Sequence, residues 1–128
     1  MSIEIQMLAY TGLVLLLLTL AQGARNVLIL GLPTAAGNQH DLAPWTGAND
    51  RLNRAVRNAI EALSIFAPVI VAVEFEGANN AMSALGAQIF FFARLVHGPI
   101  YVAGIPYLRT VAWAAGVIGT LMVALALF

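Results

Sequence analysis

The run RLNRAVRNAIEALSIFAPVIVAV opens with charge and closes as apolar sequence. Arg54, Arg57, Asn58 and Glu61 stand near its head, and the remainder is long and greasy enough to enter a bilayer. That combination admits few folds. Ionisable groups at membrane depth are expensive, so they face a bundle interior or a water-filled cavity and mark a site or pathway. On a helix, Arg54 and Asn58 are i,i+4, as are Arg57 and Glu61, so the four share a broad face. The expectation is an all-α, integral membrane four-helix bundle with a polar, mostly cationic inner wall.

Composition agrees. Of 128 residues, 61% are hydrophobic and 9% charged, against about 25% charged in a soluble domain. At about 20 residues per span the chain holds four spans at most. They fall at about residues 5–30, 52–73, 81–102 and 107–128, within a single domain covering 1–128. Small residues at Ala21-Gln22-Gly23 fit a signal cleavage site, but Glu4 and a long apolar core favour an uncleaved first span. The segment Gly31 to Asp50, rich in Gly, Pro, Asn and Asp, reads as a connecting loop. Trp45 in it suits the membrane interface. Asn49 or Asp50 can cap the second helix, and Pro68 inside it predicts a kink.

Net charge is zero, so no basic patch for nucleic acid is indicated. All six basic residues are Arg, the side chain that stays charged when buried and grips carboxylates with a fork. With no cysteine, disulfides, thiolate metal sites and a cysteine nucleophile are excluded. No metal-ligand spacing occurs, since His40 and His97 stand alone in their segments. Ser64 and Ser83 lack an adjacent base. Any chemistry therefore comes from a bound cofactor, with the protein orienting it. Arg25, Arg51, Arg54, Arg57, Arg94 and Arg109 fall toward one side of the membrane, Glu4, Glu74 and Glu76 toward the other. The positive-inside rule puts the arginine side in the cytoplasm and both termini outside.

Further polar groups gather at the arginine depth. Arg94, His97 and Tyr101 are spaced i, i+3, i+7 on one face of the third span, and Tyr107 and Arg109 open the fourth. Such a wall suits a small anion with several carboxylates. Glu61 would either neutralise Arg57 or receive a ligand ammonium. Each group also has a plain reading. Arg25 and Arg51 snorkel to headgroups, Trp113 packs, the tyrosines sit in an interfacial belt, His97 is a satisfied core histidine, and the second-span cluster is an ion-pair network between subunits. Their shared depth on several helices favours a site.

At these residues the chain resembles the MAPEG family, the membrane-associated proteins in eicosanoid and glutathione metabolism, in a bacterial-type form. Arg54-Ala55-Val56-Arg57-Asn58-Ala59-Ile60-Glu61 is similar to the family's R-x-x-R-N-x-x-E signature, with Pro68 following. Arg94-Leu95-Val96-His97-Gly98-Pro99-Ile100-Tyr101 is similar to its R-x-x-H-x-x-x-Y, and Arg109-Thr110 to an Arg followed by a small hydroxyl residue. The resemblance implies a homotrimer that binds glutathione, or another low-molecular-weight thiol, between subunits near the cytoplasmic side. Arg54, Arg57, Asn58 and Glu61 would hold its backbone and carboxylates. Arg94, His97 and Tyr101 would come from the adjacent subunit. Arg109 would favour the thiolate, with Arg94 its rival for that role. One departure stands out: Trp113 occupies a place where catalytic members often carry an aromatic hydroxyl.

The expected activity is a glutathione-dependent transferase or peroxidase acting on a lipophilic substrate from the bilayer, in the inner membrane with the site facing the cytoplasm. Two alternatives remain open. One is a non-enzymatic small membrane subunit or scaffold that binds lipid headgroups or a partner protein. The other is a channel with an arginine-lined anion path.

Overall fold

The computed structural model describes residues 1–38 and 42–128; His40, noted above, lies outside the described residues. Helix α1 spans Ile3–Leu30, α2 Leu32–Ala36, α3 Gly47–Glu76, α4 Ala81–Ala103 and α5 Pro106–Ala124, closed by a 3-10 turn at Leu125–Leu127. There is no strand among the described residues. Four of the helices are long and apolar enough to cross a membrane, the last including its terminal turn.

Up-and-down connection places the same two sets of ends together. The start of α1, the end of α3 and the start of α4 form one end, which carries Glu4, Glu74 and Glu76. The end of α1, the start of α3, the end of α4 and the start of α5 form the other, which carries the arginines. We call these the acidic and arginine ends.

Packing follows residue size. The closest helix pair is α4 on α5. A Cβ on Gly119 would lie 2.5 Å from the Gly86 carbonyl oxygen, and one on Gly86 would lie 2.6 Å from that of Gly119. Only glycine lets the two backbones approach this far, the usual device of membrane helix pairs. On its other side α4 meets α3, where Phe66 and Phe90 stack with centroids 3.7 Å apart. Ile70, Val73, Ala87 and Val123 complete this core. Helix α1 touches α3 and α4, yet its most apolar stretch contains no buried residue. Leu13, Leu16, Leu17 and Leu20 point outward from it, as expected of a helix whose surroundings are lipid or another subunit.

Two local expectations are corrected. The segment after Leu30 is not all loop, because Leu32–Ala36 forms α2, with proline in its first turn where the missing N–H costs nothing. Helix α3 starts at Gly47 behind Thr46, so neither Asn49 nor Asp50 is its cap. Asp50 instead accepts from Arg54 Nε at 2.9 Å. Pro68 lies inside α3, as its place in the sequence implies.

Candidate functional site

Between α3, α4 and α5, toward the arginine end, lies a cleft of about 270 Å³. Its walls are Asn58, Glu61, Ala62 and Ile65 from α3, Phe90 and Arg94 from α4, and Trp113, Gly116, Val117, Thr120 and Leu121 from α5. A second, more polar hollow shares Asn58 and Trp113 with it and adds His97, Tyr101, Arg109 and Thr110. The two make one groove, polar near the helix ends and apolar toward mid-membrane.

Helical spacing explains the lining. On α4, Arg94, His97 and Tyr101 recur at three and four residues and turn to the same side. On α5 the face runs Arg109, Trp113, Gly116 and Val117, then Thr120 and Leu121. Gly116 lies beside Arg94: a Cβ there would be 3.8 Å from Arg94 Cδ, an ordinary contact distance.

The polar groups of this groove are poorly satisfied by their own chain. Arg94 is 5% exposed, yet among the described residues it forms no hydrogen bond or ion pair. His97 is 1% exposed, with Nδ1 buried and without a partner. Asn58 Oδ1 is buried and unpartnered as well. A buried charge with no counter-charge costs several kcal/mol, and nearly all buried polar groups in folded proteins find partners. Three such groups converging on one groove mark a place for a ligand with acceptors and donors of its own.

Aromatic contacts order the polar end. The Arg109 guanidinium carbon lies 4.6 Å from the centroid of the Tyr101 ring, a cation–π contact that holds the charge over the groove. The same ring tilts against His97, centroids 5.6 Å apart.

The residues singled out from the sequence thus divide. Asn58, Glu61, Arg94, His97, Tyr101 and Arg109 line one groove, and they do so within a single chain. Arg54 and Arg57 do not line it: both are exposed, and Arg54 is engaged with Asp50. Tyr107 is 86% exposed and also outside it. Trp113, read as packing, lines both parts of the groove. Gly116, Thr120 and Leu121 were missed. Their signal was the spacing from Arg109 along α5, hidden because small and apolar residues are what any membrane helix contains.

Arg51 departs furthest from expectation. Rather than snorkelling to headgroups, its Nε–H donates to the Val102 carbonyl at 2.8 Å.

Comparison with known proteins gives the family. The model of the MAPEG family matches residues 5–128. No curated protein and no solved structure matches the chain. A match over nearly the whole length settles membership: this chain belongs to the MAPEG family and is an integral membrane protein.

Proposed function

We propose that this MAPEG member is a glutathione-dependent transferase or peroxidase that acts on a lipophilic substrate, with its polar end in the cytoplasm. The observation that carries the reading is Arg94: a buried, unpaired guanidinium in a groove that continues into an apolar channel. MAPEG members generally use glutathione, and the donor set fits it. Glutathione has two carboxylates, an ammonium and a thiol. Arg94 offers a forked cation for a carboxylate. Glu61 offers an acceptor for the ammonium, and Asn58 Oδ1 and His97 Nδ1 are free for its amides and remaining polar atoms.

When bound, glutathione supplies the sulfur nucleophile or, against a peroxide, the reducing thiol. The remaining work falls to the chain. Arg109, held by Tyr101, places positive charge where the sulfur would lie and favours its ionised form, because a nearby cation lowers a thiol pKa from about 8.5. Arg94 is close enough to the same groove to share that task. Ile65, Val117 and Leu121 offer an apolar wall to the second substrate and exclude water from the reacting sulfur.

The reading includes a homotrimer. Arg57 is exposed on a membrane helix, and a charge there is stable only against a polar partner. A neighbouring copy would let Arg54 and Arg57 close over the ligand from outside. Placement in an inner membrane, arginine end inward, belongs to the same reading.

The deciding experiment is titration of glutathione into the detergent-solubilised protein, followed calorimetrically and by ultraviolet absorbance of the thiolate. Saturable binding with thiolate absorbance at neutral pH is expected. Binding without any thiolate signal would turn the reading toward a non-catalytic scaffold, and no binding would remove the glutathione assignment.

A further inference from the structure

Arg51 is a cation near a membrane surface, and by itself it would pass for a lipid anchor. Its contacts say otherwise. Helix α4 ends at Gly104, whose φ of 79° lies in the left-handed region that glycine adopts without strain. The Gly104 N–H folds back to the carbonyls of Ile100 and Tyr101. The next carbonyl, that of Val102, is among the last-turn acceptors a helix cannot satisfy internally. Arg51 fills it from another helix, with Nε 2.8 Å away. A cation at a helix C-terminus also meets the negative end of its dipole.

The fit is close on both sides. A Cβ on Gly104 would lie 3.3 Å from Arg51 Nε and 3.5 Å from Cδ and from Cζ. The glycine is needed for its conformation, and the Arg51 side chain packs directly against it. From this turn the chain passes directly into α5 at Pro106, and Arg109 follows within the first turn. Tyr101, one residue before Val102, is the ring on which Arg109 rests. One side chain from the start of α3 thus grips the short segment between the two partners of the Arg109–Tyr101 pair.

We propose that Arg51 is a positioning residue: by tying α3 to the α4–α5 turn, it fixes Arg109 and Tyr101 relative to Asn58 on the opposite wall. The consequence for thiol ionisation rests on the function proposed above; the clamp itself does not. Without Arg51 the turn keeps its glycine, but the last turn of α4 loses its only side-chain hydrogen bond to α3 among the described residues. The α4–α5 glycine contact lies far along the helices, so it leaves this end free to shift.

The absence of native cysteine makes the test direct, because spin labels attach only where cysteines are introduced. One pair at Ile60 and Leu108 reports α3 against α5 at the arginine end. A second at Phe75 and Leu125 reports the acidic end. Labelled chains are diluted in unlabelled protein so that distances within one chain dominate. Arg51→Ala should broaden the Ile60–Leu108 distance distribution and leave Phe75–Leu125 as in the parent, and Arg51→Lys, which keeps one donor, should fall between. If Arg51→Ala does not fold, Arg51→Met serves, since it keeps the apolar stem and removes the donor; the same broadening is expected. An unchanged Ile60–Leu108 distribution in these variants overturns the proposal. The second readout is bound glutathione. Arg51→Ala should lower the ratio of bound thiolate to thiol by about threefold, less than removal of Arg109 itself, while affinity changes by less than about threefold. Broadened distances with undiminished thiolate absorbance would overturn the positioning role. Broadened distances in a protein that binds no glutathione at all would uphold the clamp and remove the proposed function instead.

Discussion

The two ends of the bundle both carry buried polar groups and treat them in opposite ways. At the acidic end nearly every group is answered from within the chain. Asn80 caps α4 through the Ser83 N–H while Ser83 Oγ accepts from the Asn80 N–H, each at 2.9 Å, a reciprocal box. The Ser83 hydroxyl donates to Glu4, which is 2% exposed. Glu74 accepts from Ser2 at 2.6 Å and from Asn79 at 3.0 Å. At the arginine end Arg94 is buried alone, and His97 Nδ1 and Asn58 Oδ1 are buried without partners in residues that line the groove. The acidic end is arranged for stability. The arginine end withholds local satisfaction, and that is the signature of a site kept for a ligand.

Not every loose end there belongs to the ligand. Both amide atoms of Asn49, and Asn26 Oδ1, are also buried without partners, between α1 and α3 and away from the groove. The adjacent pair is satisfied: Gln22 Nε2 donates to Asn53 Oδ1 at 2.5 Å. What separates Arg94 is charge, since an unpaired ion costs far more than an unpaired amide.

The largest test of the contrast is Arg94→Met. If the guanidinium is held unpaired for a ligand, its removal should stabilise the ligand-free protein by about 1–4 kcal/mol, as replacing buried charge with apolar volume often does. Glutathione affinity should fall by about 2–5 kcal/mol, the cost of truncating one partner of a buried charge pair. Thermal unfolding in detergent with and without glutathione reads both. Loss of stability in the ligand-free protein would mean that Arg94 is structural, and the contrast between the ends would collapse.

Ser83→Ala probes the opposite end. It leaves the buried Glu4 carboxylate short of a donor and breaks the capping box, so stability should drop by about 1–3 kcal/mol. Glutathione affinity should not move. A change in binding here would couple the ends and blur the distinction.

A smaller effect is expected from Arg109→Leu, because Arg94 remains in the groove. Bound thiolate should decline by about tenfold, equivalent to about 1.4 kcal/mol, with most of the binding retained. Ultraviolet titration of wild type, Arg109→Leu and Arg94→Leu assigns the role: loss only in Arg94→Leu would move the activating charge to α4.

Smallest of all is Arg54→Ala. Its pair with Asp50 is solvent-accessible, the Arg side chain 62% exposed, so stability should change by less than about 0.5 kcal/mol. Arg57→Ala should behave likewise unless a neighbouring copy draws these side chains over the ligand. Comparing the two variants for glutathione affinity in the intact oligomer separates a surface role from an intersubunit one.

Much of this protein was legible in its residues. Long apolar stretches broken by short polar turns leave helices as the chain's only way to satisfy backbone groups in lipid. Segregation of Arg from Glu assigned the two ends. The periodic placement of Arg94, His97 and Tyr101 put them on one face, and three ordered motifs led to the family. These are properties of spacing along a single helix, which sequence encodes directly.

What the tertiary structure decided depends on distances between helices. Arg54 and Arg57 share a helical face with Asn58 and Glu61, but that face is broad, and only Asn58 and Glu61 reach the cleft walled by α4 and α5. Gly86 and Gly119 let α4 and α5 nearly touch, and Gly116 brings α5 against the Arg94 side chain. Arg51 looked like any membrane-edge cation until the end of α4 was placed beside it. Which charges are left unpaired, and which are silenced by a carbonyl from another helix, is set by close approach of segments distant in sequence, and no periodicity within one helix carries that information.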